Sequence, residues 1–292
     1  MVKIVEKKKI WFSISIAIIA IGMFCMAFKG LNIGIDFKGG SKVVLELGED
    51  FDKQEVDEVV KGYVSDAVTN TVDETQYQIK STELDTETLS TLVDDLKEKY
   101  SLEDDIVVSQ DEIGASIGKD LTQKSLTALA IAFVAMLIYI AIRFEFKSGI
   151  VALAALMHDV LITFSVYAIF DLTINSPFIA AILTIVGYSI NATIVIFDRI
   201  RENEKKTRRK SHSEIANLSV NQTMKRSINT TLTTLFTIVS VYAFVPSVRE
   251  FAFPIIVGIV SGGYSSVLIA PSLWVVIKGR KNSKNKVKEV VA

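Results

Sequence analysis

His158 and Asp159 stand together near the middle of an apolar stretch covering 148–170, and they are adjacent residues of the kinds that handle protons. Helical rise puts them roughly ten residues, about 15 Å, from the end of that stretch, close to the centre of a bilayer. A carboxylate at that depth costs several kcal/mol unless it is paired, hydrated or protonated. Imidazole titrates near neutrality and passes protons between its nitrogens. Two readings follow: an ion relay, or a buried pair that hydrogen-bonds neighbouring helices.

A second polar group lies in the run Gly187-Tyr188-Ser189-Ile190-Asn191-Ala192-Thr193, and a third in Ser227-Ile228-Asn229-Thr230-Thr231-Leu232-Thr233-Thr234. Consecutive antiparallel spans would bring these to similar depth. Interhelical hydrogen bonds among Asn191, Thr193, Asn229 and Thr233 are expected, worth about 0.6–2 kcal/mol each. None of these groups titrates, so their expected role is packing. Asp198, Arg199, Arg201 and Glu202 follow at the membrane edge. They read as a solvated helix end with ion pairs worth about 0–1 kcal/mol, with a gating role as the alternative.

Other chemistries find little support. The pattern Gly-x-x-x-x-Gly-Lys-Ser/Thr is absent, so no phosphate-binding loop is expected. Two histidines and one cysteine argue against a zinc centre. No nucleophile–base pair follows from spacing. Cys25 lies inside an apolar run and reads as an inert small residue with no intramolecular disulfide to form. The expectation is a protein that is not an enzyme, holds no cofactor or metal, and draws energy from an ion gradient or a partner protein.

The elements that must position these residues are membrane spans. Of 292 residues, 50% are hydrophobic and 22% are charged, with a mean hydropathy of +0.38; the two classes must be segregated along the chain. Six runs fit a bilayer-crossing helix, at about 10–28, 123–142, 148–170, 177–197, 228–245 and 251–277. The first is longer than a signal-peptide core, and we read it as an uncleaved span. In the last, Gly258, Gly262 and Gly263 permit close helix packing.

The net charge of −1 hides an asymmetry: 29–122 carries 23 acidic against 9 basic residues. Basic residues gather at Lys3 and Lys7–Lys9, over 198–227 and in the tail 278–292, which puts both termini in the cytoplasm and the acidic segment outside. Topology accounts for these patches without nucleic acid. The expected domains are 1–28 as N-terminus and first span, 29–122 as an extracytoplasmic α/β domain, 123–277 as a five-span bundle with a basic loop at 198–227, and 278–292 as a cytoplasmic tail.

Within the acidic segment, 42–47, 69–72, 77–81 and 105–109 pattern as strands, with helices over 52–64 and 86–100. A hairpin would turn at Asp73-Glu74. The order β-α-β-β-α-β predicts a ferredoxin-like module. The predicted fold is thus an α-helical polytopic membrane protein of six spans with a small ferredoxin-like α/β extracytoplasmic domain.

Several of these segments resemble motifs of the SecD/SecF family of protein-export membrane proteins, and most closely its SecF branch, related to the RND transporters. They are Gly34-Ile35-Asp36-Phe37-Lys38-Gly39-Gly40, Gly114-Ala115-Ser116-Ile117-Gly118, Arg143-Phe144-Glu145-Phe146, His158-Asp159, and the stretch from Gly187 to Asn203 that includes Asp198 and Arg199. The resemblance covers nearly the whole chain. It implies a multi-pass protein of the bacterial cytoplasmic membrane that helps move secretory polypeptides with SecD as partner, beside the SecYEG channel and in contact with membrane lipid. In that family a proposed proton-carrying Asp follows the Asn of the fourth span, and an Arg lies in the fifth. The corresponding positions here are Ala192 and Thr234. The resemblance therefore carries over the export role and not proton carriage at those two positions. The alternatives are a purely structural stabiliser of SecD or the channel, and an RND-like small-molecule exporter. Such exporters usually repeat this unit within a longer chain.

Overall fold

The computed structural model describes residues 3–48, 51–72, 75–102, 105–143, 145–207 and 209–279. The turn at Asp73-Glu74, Phe144, Arg208 and the tail from 280 onward lie outside the described residues. In chain order the elements are α1 (Lys8–Lys29), a one-turn helix α2 (Ile35–Lys38), β1 (Gly40–Glu46), α3 (Lys53–Tyr63), β2 (Val68–Thr71), β3 (Gln76–Ser81), α4 (Thr86–Tyr100), β4 (Val107–Ile113), α5 (Ala115–Arg143), α6 (Phe146–Ile169), α7 (Ser176–Lys206), α8 (His212–Phe244) and α9 (Arg249–Tyr264). α9 follows a 3-10 turn at Pro246–Val248, passes through a π-helical stretch at Ser265–Ile269 and stays helical over 270–279. Among the described residues, six helical segments are long and apolar enough to cross a membrane.

The sheet is antiparallel, in the order β2-β3-β1-β4. That is the split βαβ arrangement that the sequence predicts. One face packs against α3 and α4 through Val43, Leu45, Val56, Val60, Tyr77, Ile79, Leu92 and Leu96, all fully buried. Both helices start where an aspartate caps them: Asp52 Oδ1 accepts from Gln54 N at 2.7 Å, and Asp85 Oδ1 from Thr88 N at 2.8 Å. β4 runs further than its expected 105–109, because Ser41 and Gly40 of β1 still pair with Glu112 and Ile113. Polar residues are no obstacle on an exposed edge strand.

Two sequence boundaries differ from the structure. α5 starts at Ala115 rather than near 123. Its first turns pack under the one-turn helix, where a side chain on Gly118 would fall 2.6 Å from the Phe37 carbonyl oxygen. The segment 198–227 is mostly helix rather than loop: α7 runs to Lys206 and α8 begins at His212. Lys206 pairs with Glu202 at 2.6 Å one turn back, and Ser211 with Glu214 forms a capping box that starts α8. Hydropathy marks where the membrane ends, whereas these pairs and caps decide where the helix ends.

In the bundle, small residues let backbones approach. A Cβ on Gly22 of α1 would lie 2.2 Å from Ser165 Cβ of α6, and one on Gly258 of α9 would lie 2.3 Å from Ile185 of α7. At the end nearest the sheet, the strand-like bridge Ile33–Ile174 ties the exit of α1 to the entry of α7, with Gly34 N donating to Ile174 O at 3.0 Å. At the other end, Asn217 Oδ1 of α8 accepts from Ile4 N at 3.0 Å and Val5 N at 3.2 Å.

Candidate functional site

Asp159 lies near the midpoint of α6 and is 0% exposed. A bare carboxylate there would be prohibitive, so its partners decide its state. Oδ1 accepts from Ser261 Oγ at 2.7 Å and faces His158 Nδ1 at 2.9 Å. Oδ2 accepts from Ser189 Oγ at 2.5 Å and Ser265 Oγ at 2.7 Å. His158 Nε2 lies 2.8 Å from Ser15 Oγ, itself only 4% exposed. Opposite an ionised Asp159, His158 carries its proton on Nδ1 and accepts from Ser15 at Nε2. One carboxylate thus gathers donors from α6, α7, α9 and the π-helical stretch, and reaches α1 through the imidazole.

The helices come this close because α9 is small where it faces the site. Gly262 has Ser189 Cβ 3.4 Å and Asp159 Oδ2 3.6 Å from its would-be Cβ. Ser261 and Ser265 are one turn apart and share a face. The π-helical stretch begins at Ser265, a kind of irregularity common at functional positions. Tyr264 stacks on His158, with ring centroids 6.2 Å apart, and donates through Oη to Trp11 O at 2.7 Å, fixing the imidazole.

Four donors on two oxygens satisfy the charged form. A serine hydroxyl can also turn and accept, so the same shell can hold a protonated carboxyl without a lost bond. Ser15, His158 and Asp159 have the bonding order of an activated nucleophile. Ser15 itself is 4% exposed, on the face of α1 that meets α6. The arrangement joins a carboxylate, an imidazole and a serine hydroxyl in one hydrogen-bonded chain across α6 and α1.

The other expected residues are distributed differently. Asn191 and Asn229 are both exposed, and no hydrogen bond joins them among the described residues. The expected network with Thr193 and Thr233 does not form. Thr233 and Thr234 bond back to carbonyls of their own helix at 2.9 Å, and Thr193 Oγ1 is buried without a partner among the described residues. At this depth α7 and α8 are joined instead by Tyr188 Oη donating to Thr231 Oγ1 at 3.0 Å. The reason is rotational phase: equal depth does not turn two side chains toward each other. Ala192 lines a cavity of about 50 Å³ with Tyr188, Asn191, Arg226 and Thr230.

Most of the remaining motif positions have structural partners. Asp36 Oδ2 accepts from Ser176 N at 2.8 Å and from Ser176 Oγ, capping α7 from a distant segment. Gly34 leaves room for Asn175, whose Oδ1 lies 1.7 Å from where a Cβ would be. Gly39 and Gly40 turn the chain into β1 at φ 88° and 144°. Arg143 Nη2 pairs with Asp198 Oδ2 at 2.6 Å, joining two motifs. Lys278 meets Glu204 at 2.8 Å and Glu145 at 3.6 Å. Arg199 pairs with Glu202 at 2.5 Å and donates to Gln222 at 2.7 Å. Gly187 has open space around it.

Ser15, Ser189, Ser261 and Ser265 were not singled out from sequence. The available signal was the i, i+4 spacing of Ser261 and Ser265 beside two glycines in an apolar run.

Comparison with known proteins adds identity to this geometry. Residues 26–50 match the SecD/SecF GG motif family, and residues 92–280 match the C-terminal family of SecD/SecF protein export membrane proteins. Protein translocase subunit SecF of Sebaldella termitidis is 37% identical over 281 residues, covering 93% of this chain and 90% of that protein. SecF of Calditerrivibrio nitroreducens is 38% identical over 281 residues, covering 93% and 92%. The crystal structure of SecDF of Thermus thermophilus, a translocon-associated membrane protein, superposes with a TM-score of 0.80 at 32% identity, covering 94% of this chain and 38% of that longer one. With six spans, one βαββαβ module after the first, and a match over nearly its full length, the chain belongs to the SecD/SecF family of protein-export membrane proteins, as a SecF-type auxiliary subunit that works with SecD.

Proposed function

We propose that this subunit couples an ion gradient to Sec-dependent export through Asp159. It acts in the cytoplasmic membrane, surrounded by lipid, beside the SecYEG channel and on secretory polypeptides as they emerge. Both termini face the cytoplasm, where the basic residues gather, and the acidic sheet domain faces outward. Its work is energy coupling rather than catalysis of a covalent step. The observation that carries this reading is the fully buried Asp159 carboxylate with its serine and histidine donors. Charge at mid-membrane is costly, and positions 192 and 234, where the family resemblance would place ionisable residues, are Ala and Thr.

A structural role is the competing reading, favoured by the lack of an ionisable side chain at those two positions. The test is release of a secretory protein from cells depleted of this chain and resupplied with the natural form or with Asp159→Asn. Each is measured with both gradients intact, with the proton gradient collapsed, and with the sodium gradient collapsed. The proposal expects the natural chain to help only while one gradient stands, and Asp159→Asn to fall to the level of the depleted cells. Export unchanged by the substitution would leave the structural reading.

A further inference from the structure

The last span touches both the buried carboxylate and the outer sheet. Ser261 and Ser265 hold Asp159 at one end of that contact. At the other end, Glu250, in the first turn of α9, is gripped from outside. Its Oε1 accepts from Lys80 Nζ of β3 at 2.7 Å, and its Oε2 accepts from Asn175 Nδ2, ahead of α7, at 3.0 Å. The Lys80 and Glu250 side chains are 13% and 27% exposed, so the pair is shielded from solvent. A second contact lies beside it: Asn70 Nδ2 of β2 donates to Pro246 O at 3.3 Å. The β2–β3 hairpin therefore grips the start of the last span at two points.

The rest of the sheet is not pressed against the bundle there. A cleft of about 490 Å³ lies between the sheet's helix-free face and the membrane end, lined by residues including Val44, Gln78, Lys80, Val108, Glu250 and Phe251. Such a cleft gives the sheet room to tilt, with the grip at its rim. Below the grip, α9 has two places where it can yield: Pro254, which cannot donate a backbone hydrogen bond, and the π-helical stretch that begins at Ser265. A shift of α9 that draws Ser261 and Ser265 from Asp159 leaves the carboxylate short of two donors and changes its affinity for a cation or proton.

We infer that Lys80, Glu250 and Asn175 form a latch through which the position of the outer domain sets the hydrogen bonding, and so the ion affinity, of Asp159. Lys80 and Glu250 are positioning residues, acting through the helix rather than on the ion. This rests on the coupling role proposed for Asp159. An outer domain pulled by an emerging polypeptide would open the latch and alter the carboxylate, and ion binding at the carboxylate would move the outer domain in return, as linkage requires.

The test uses the full chain with its SecD partner and compares Lys80→Glu, Glu250→Lys and the double swap Lys80→Glu/Glu250→Lys. Each single reversal places like charges together and is expected to abolish the gradient-dependent part of export. The double swap restores attraction, since Asn175 can turn its amide oxygen toward the new lysine, and is expected to restore that part. Backbone hydrogen exchange over 255–269 should rise in the single variants and return in the swap, with α6 unchanged, a readout that general misfolding would not reproduce. The latch is overturned if single reversals keep gradient-dependent export, or if exchange over 255–269 does not move. If Asp159→Asn itself leaves gradient dependence intact, the coupling reading fails. If that variant loses it while the reversals do not, only the latch fails.

Discussion

At the scale of single residues, the central fact is a carboxylate whose surroundings were chosen by hydroxyls. Each carboxylate oxygen has two donors, so Ser261→Ala leaves Oδ1 with His158 and Ser265→Ala leaves Oδ2 with Ser189; each change should destabilise the protein by about 1–3 kcal/mol, the net loss of one hydrogen bond to a buried carboxylate. Thermal unfolding in detergent, followed by exposure of Cys25, would show it as a lower midpoint, and both changes should weaken export together with stability. Asp159 was legible in the sequence because a titratable group in an apolar run is conspicuous. Its serines were not, because hydroxyls are common in spans and their facing depends on helix rotation that hydropathy does not encode. The same missing information separates Asn191 from Asn229: both are exposed, Asn191 lines the cavity between α7 and α8, and no hydrogen bond joins the two among the described residues.

At the scale of elements, helices are placed by contacts that allow little substitution. Gly258→Ala would drive a methyl into Ile185 of α7, 2.3 Å away. Overpacking of this kind costs about 1–3 kcal/mol, and the expected outcome is reduced abundance in the membrane and a lowered unfolding midpoint. Asp36→Ala would strip the cap from α7 at a cost of about 0.5–2 kcal/mol, measurable in the same unfolding experiment. The spans and all four strands were readable from apolar periodicity. The distant cap was not, because Asp36 and Ser176 are 140 residues apart in the sequence and meet only in the folded chain. The helical extensions of α7 and α8 past the membrane were missed for a related reason: polar pairs and caps sustain a helix after the apolar signal has stopped.

At the scale of the whole molecule, the outer domain, the bundle and the basic end answer to different conditions. Outside the membrane, burial raises the Asp66 carboxyl, but hydrogen bonds from Ser81 and Thr82 outweigh it and the net shift is downward. Burial likewise raises Asp57, and its bonds with Lys53, Thr69 and Tyr77 turn the net shift downward. A folded value below the unfolded one contributes stability above the ordinary aspartate value of about 3.9, and that contribution is lost as pH falls through the lowered folded value. The tyrosine circular-dichroism signal of the full chain should therefore melt at a constant temperature near neutrality and at falling temperatures below about pH 4. Asp66→Asn should flatten part of that acid slope; an unchanged slope would show that these aspartates do not carry it.

The account turns on ion passage at one carboxylate, and flux measures it directly. Vesicles holding this chain with SecD, loaded with a proton-sensitive or a sodium-sensitive dye, would be given an inward gradient of the corresponding ion. The account predicts entry of one ion with the natural chain and loss of that entry with Asp159→Asn, while the amount and orientation of protein stay the same. Equal entry with and without the Asp159 carboxylate would contradict it.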